Sequence, residues 1–90
     1  MSGTAARSRF AVELLAWLNR RLVPPGTVVE FATPLFTPGL IDSIRVLELI
    51  AWVERAIGRR IPDRDIRMDY FATVDAITAR FGEEAGDVDA

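Results

Sequence analysis

The sequence predicts an all-α fold: a small four-helix bundle of three main helices and one short one, with a long structured loop after the first helix. Three observations carry this. Apolar residues recur at helical spacing in three separate stretches, while no segment alternates in the two-residue rhythm of a strand beside a hairpin turn. Proline and most glycines fall between the helical stretches rather than inside them. Ninety residues make one domain, able to bury about 60–65% of the surface of its unfolded chain. Half the residues are apolar and the mean hydropathy is +0.18, which suits a packed core better than disorder.

The first helix is expected from about Arg7 to Leu22. Phe10, Leu14, Leu18 and Leu22 recur every four residues, and Ala11 and Leu15 widen the stripe. Arg20 and Arg21 suit the negative end of the helix dipole, and Pro24-Pro25-Gly26 stops the helix. Val23 to Asp42 then form a connection of 20 residues, much longer than the usual helix-to-helix loop. It is too apolar to be disordered. Val28, Val29, Phe31, Leu35, Phe36, Leu40 and Ile41 are expected to lie across the helices, with Pro34, Pro38 and Gly39 shaping the turns.

The second helix is expected from Ser43 to Ile57. Ile44, Leu47 and Ala51 form one line and Leu49 or Ile50, Val53 and Ile57 the adjoining one, so the helix is apolar over much of its girth and is expected at the centre. Gly58 ends it. Ile61-Pro62-Asp63 breaks the pattern, and Arg64 to Tyr70 hold at most a short helix. The last helix follows, with Thr73 as its N-cap, Val74, Ile77 and Phe81 facing the core, and Gly82 as its end. Residues 1–82 thus make the domain, and 83–90 a flexible acidic tail.

The chain has no cysteine, histidine or lysine. A thiolate nucleophile, an imidazole base, a serine–lysine pair and the usual soft metal sites are therefore excluded, and the chain is not expected to be an enzyme or to hold a metal. Eleven arginines stand among 13 acids, for a net charge of −2. Met1–Asp42 carries +1 and the rest −3. No helix has the basic face that phosphate contacts need, which weighs against a helix-turn-helix nucleic-acid binder. The longest apolar run is too short to span a membrane, and Met1 to Arg9 lack the core of a signal peptide, so the chain is expected in the cytoplasm. Its start at Met1 and its polar tail fit a free-standing protein.

Asp42-Ser43-Ile44 stands where the long loop turns into the second helix. By itself the pair has an ordinary explanation: Asp42 accepts hydrogen bonds from the first turn, and Ser43 is a tolerated early helical residue. Yet Gly39-Leu40-Ile41-Asp42-Ser43-Ile44, running into Val46-Leu47-Glu48-Leu49, resembles the acyl and peptidyl carrier protein family, whose mark is an Asp-Ser-Leu-like tripeptide opening the second helix. The resemblance extends from about Phe10 to Phe81. It takes in the helix lengths, the long first loop, Ile61-Pro62-Asp63 and the Phe71-Ala72-Thr73-Val74 start of the last helix.

The resemblance implies an acyl-carrier-protein-like bundle in which a separate phosphopantetheinyl transferase moves 4′-phosphopantetheine from coenzyme A onto Ser43. The imported thiol would compensate for the missing cysteine, and aminoacyl, peptidyl or acyl groups would ride on it as thioesters. Partners implied are that transferase, an acyl- or aminoacyl-activating ligase or synthase, and downstream tailoring or condensing enzymes of a biosynthetic, secondary-metabolite pathway. Neither nucleic acid nor membrane is among them, and the carrier is expected to be a monomer. Asp42 gains a second duty in helping the transferase engage the serine, by way of that enzyme's magnesium. Ile44, Arg45, Val46 and Glu48 surround the attachment point as the expected partner-reading surface, with a core position the alternative for Ile44 and Val46. Trp17 and Trp52 are assigned to packing. Arg45 departs from fatty-acid-type carriers, which are usually acidic there, and Leu40-Ile41-Asp42-Ser43 stands closer to stand-alone aminoacyl and peptidyl carriers. A helical interaction module without a prosthetic group shares the same predicted fold.

Overall fold

The computed structural model describes residues 2–85, with side chains from Ser8 to Ala85. Among these residues the chain is helix, turn and loop throughout, in the order α1 (Ser2–Trp17), a π-helical turn (Leu18–Leu22), α2 (Ser43–Ile57), a 3-10 turn (Asp63–Asp65), α3 (Met68–Phe71) and α4 (Val74–Ala85). The expected helical bundle with its long first loop is what forms. α2 has the expected bounds because local chemistry marks both its ends. Asp42 caps the start, and Gly58 at φ 75° takes the left-handed turn that follows, its N–H donating to Glu54 O at 2.9 Å.

α1 begins at Ser2, earlier than the expected Arg7. Periodicity detects only the part of a helix with a buried face, and Ser2 to Arg7 contain no large apolar residue. Its last turn widens into the π form, closed by the Val23 N–H donating to Leu18 O at 3.0 Å. At the other end, α4 passes through Gly82 and stops at Ala85. Gly82 is buried within that helix, so Glu83 to Ala85, expected in the tail, are helical. The remaining tail residues, 86–90, lie outside the described residues.

Phe10, Leu14, Leu18 and Leu22 fill the core from the first helix, Leu49, Ile50, Val53 and Ile57 from α2, and Val74, Ile77 and Phe81 from α4. The closest-packed pair is α1 with α4. The centre expected for α2 therefore belongs to the first and last helices. α2 meets α1 through Trp52, whose ring lies edge-on to Phe10 at 5.5 Å and stacks on Trp17 at 5.8 Å. Its Ile44 and Leu47 stay in solvent.

The loop is structured, as its apolar content requires. Val29, Leu35 and Ile41 are buried, and Phe36 and Leu40 pack against the core. Val28 and Phe31, expected across the helices, are instead 72% and 38% exposed. Neighbouring side chains on extended backbone point to opposite sides, so seating Val29 turns Val28 out. Phe31 lies at a bend closed by the Glu30 N–H on Thr33 Oγ1, where its carbonyl rather than its ring makes the anchoring contact.

Candidate functional site

Ser43 is the first residue of α2 and is exposed. Its position depends on how the preceding 20-residue loop is held. At the start, Asn19 reaches from the π turn to Val29: its Nδ2 donates to Val29 O at 3.0 Å, and the Val29 N–H donates to its Oδ1 at 2.8 Å. This pair of bonds mimics a strand pairing with a side-chain amide. In the middle, the Leu35 N–H donates to Ala72 O at 2.8 Å and the Asp75 N–H to Phe31 O at 3.0 Å, tying the loop to the α3–α4 junction.

Two tight turns take up the remaining length. In Pro24-Pro25-Gly26-Thr27 and Thr37-Pro38-Gly39-Leu40, proline stands second and glycine third, the type II pattern that needs a positive φ at the third place. Gly26 and Gly39 both lie at 86°, and the closing bonds are 3.1 and 3.0 Å. The second turn hands the chain to Ile41, which is buried, and so to Asp42.

Asp42 is extended at φ −94° and ψ −178°, and its Oδ1 accepts the Arg45 N–H at 2.8 Å. Its carbonyl accepts the Val46 N–H at 3.0 Å, the first bond of the helix. The N–H groups of Ser43 and Ile44 have no acceptor among the described residues. They surround the Ser43 hydroxyl with the partial positive charge of a helix start.

The four residues expected to read a partner divide between surface and interior. Ile44 is 73% exposed, and Glu48 is exposed as well. Leu47, at 66%, joins them as an exposed apolar side chain that the sequence reading placed on the line of Ile44 without assigning it to the surface. Val46 is half-buried and packs against the core. Arg45 is drawn inward too, since its guanidinium donates to Leu22 O at the end of the π turn. At about 100° per residue, the second and third positions after Ser43 rotate toward α1 and the core, while the first, fourth and fifth stay outside.

That tie was not visible from sequence, because a donor on a long flexible stem leaves no periodic trace. Asn19 was missed for the same reason. Its one signal is an amide near the end of a strongly patterned helix.

Further along α2, Glu48, Ala51 and Arg55 face Trp17 and Arg21 across an open groove of about 350 Å³. At the far end, Glu54 Oε2 accepts the Ile61 N–H at 2.8 Å, and Arg59 holds Glu84 through bonds of 2.6 and 3.0 Å. The Arg59 guanidinium keeps the Glu84 carboxyl below the usual carboxylate range, chiefly through its hydrogen bond.

These features define a helical domain that displays one hydroxyl at the head of a capped helix on a pinned loop. Residues 23–81 match the family model for the phosphopantetheine attachment site, and the chain belongs to that family. Its members are carriers rather than catalysts, and they bear 4′-phosphopantetheine covalently on a serine. No curated protein matches the chain. Among the described residues, no helix is long and apolar enough to cross a membrane.

Proposed function

We propose that Ser43 is the attachment serine, and that the chain presents aminoacyl, peptidyl or acyl groups to the enzymes of a biosynthetic pathway. One observation carries the assignment. Ser43 is the only serine in the matched residues 23–81, and it stands exposed at the first position of α2. The surroundings fit a phosphodiester: the hydroxyl is open, and the unbonded N–H groups of Ser43 and Ile44 favour an anion by about 0.3–1 kcal/mol. When attached, the group supplies a terminal thiol on which cargo is held as a thioester.

In the modification itself, Ser43 Oγ forms the new P–O bond as the phosphoanhydride of coenzyme A breaks, adenosine 3′,5′-bisphosphate departs as the leaving group, and the hydroxyl proton passes to the transferase. Asp42 serves twice, as the cap of α2 and as a negative charge offered to that enzyme and its magnesium. The chain's own part is to hold Ser43 still and leave it accessible. Tethered cargo then meets the next enzyme at an effective concentration on the order of millimolar. Arg45 and the Leu40-Ile41-Asp42-Ser43 run favour aminoacyl or peptidyl cargo over fatty-acid-type chains, with a loading ligase or synthase and tailoring or condensing enzymes as partners.

Incubation with a phosphopantetheinyl transferase and coenzyme A, followed by intact-mass measurement, tests the assignment. The wild type is expected to gain one phosphopantetheine and Ser43→Ala none. No gain on the wild type, or an equal gain on Ser43→Ala, rejects it and leaves a helical interaction module.

A further inference from the structure

Arg45 is the arginine nearest to Ser43 in the chain, and the bond it makes differs from those of other engaged arginines. Arg59 and Arg80 hold carboxylates, those of Glu84 and Asp65, and Arg60 stands beside Glu54. Arg45 instead donates to a neutral carbonyl, Leu22 O. Between Ile41 and Val46 the only carboxylate is that of Asp42, which caps the helix and takes the Arg45 backbone N–H at 2.8 Å. A full positive charge thus rests on an uncharged acceptor, two positions from a hydroxyl that gains an anion when it is modified.

Helix side chains lean toward the N-terminus, so Arg45 reaches back over the first turn of α2 and away from Glu48, which lies one turn ahead. The third helical residue is also the place from which a capping-box side chain touches the residue before the helix. A phosphodiester carried by Ser43 Oγ, on the first helical residue, stands in the same region, where the Ser43 and Ile44 N–H groups are unbonded. Hydrogen bonds from a guanidinium to phosphate oxygens are about twice as strong as those to a neutral acceptor, and a two-pronged fit adds to this. The anion is the better partner.

We propose that Arg45 is the cationic partner of the group attached to Ser43, and that it changes partners on modification. In the unmodified protein its guanidinium holds Leu22 O; in the modified protein it pairs with the phosphodiester and releases that carbonyl. The identity of the anion rests on the carrier reading, whereas the exchange itself asks only for a phosphate on Ser43. Its effect reaches the first helix. The Leu22 carbonyl and the Val23 N–H belong to one rigid peptide plane, held at one end by Arg45 and at the other by the bond to Leu18 O at 3.0 Å. Freeing the carbonyl lets the plane rock and weakens the bond that closes the π turn. The state of Ser43 is in this way registered across the 23 positions between Leu22 and Arg45.

The test compares three forms of the isotope-labelled protein by NMR: unmodified, phosphorylated on Ser43 through encoded phosphoserine, and loaded from coenzyme A by the transferase. Both anions are expected to move the Arg45 Nε–H signal and to speed exchange of the Val23 amide about fivefold. In Arg45→Met that amide should exchange fast in every form, with no further change on modification. Arg21→Gln, which removes the cation next to Leu22, should keep the full response. An Arg45 signal and a Val23 rate that are the same in all three wild-type forms overturn the proposal, and so does a response that survives Arg45→Met or is lost in Arg21→Gln. The phosphoserine form needs no transferase, so the two readings fail separately. No mass gain with coenzyme A removes the carrier reading and leaves the phosphoserine result standing, whereas a mass gain with Arg45 still on Leu22 O removes only the exchange.

Discussion

Asp42 accepts the Arg45 N–H at 2.8 Å, and an asparagine at that place would accept it as well, so the capping and charge roles of the residue are separable. Asp42→Asn is expected to leave thermal stability within a few tenths of a kcal/mol while slowing modification of Ser43 by the transferase. An unchanged modification rate would remove the charge role. Arg45→Met should cost about 1 kcal/mol in urea denaturation, because Leu22 O then loses its donor, and should speed hydrogen exchange in the first turn of α2. An unaltered exchange rate there would mean the tie does not hold the serine. Thr78 presents the opposite case: its Oγ1 is buried with no hydrogen-bond partner among the described residues. Thr78→Val keeps the shape and removes the orphan, so stability should rise by about 1 kcal/mol, measured by the same denaturation. At this scale the Asp42 cap and the helix start at Ser43 were legible, since capping chemistry is local. Arg45 was not, because its bond spans 23 positions.

Among the elements, α2 was legible at both ends for the same reason. The errors fell where an end has no local mark. The start of α1 lies beyond its apolar stripe, and a π turn differs from an α turn by one bond rather than by any residue pattern. α4 continues past a glycine because Gly82 is buried in packing and Glu84, beyond it, is clasped by Arg59. This clasp gives a pH dependence with a definite sign. The Glu84 carboxyl is held below its unfolded value, so the unfolded chain binds the proton more readily, and the pair's contribution is present above the usual carboxylate range. It is lost as pH falls through the lowered value. Glu84→Gln should flatten that part of the acid limb of stability against pH. Both partners are substantially exposed, which keeps the effect small. An acid limb identical to wild type would show that the pair contributes nothing.

Across the whole molecule, the bundle and its order were readable from three amphipathic stretches, but which helices sit closest was not. Periodicity says that a face is buried and leaves open against what. The answer is that α1 and α4 form the closest pair. A chain ending before Val74 is therefore expected to lose its cooperative thermal transition and most of its helical circular dichroism, even though α2 remains intact in sequence. Retention of a sharp transition would show that α1 and α2 suffice. The pairing also bears on how the domain closes. α1 and α4 flank the segment that contains the long loop and α2, so joining them closes that whole segment, and the core is incomplete until the closure is made. Ser43 stands inside the segment so closed, and the contact that completes the core is also the one that fixes the serine in place.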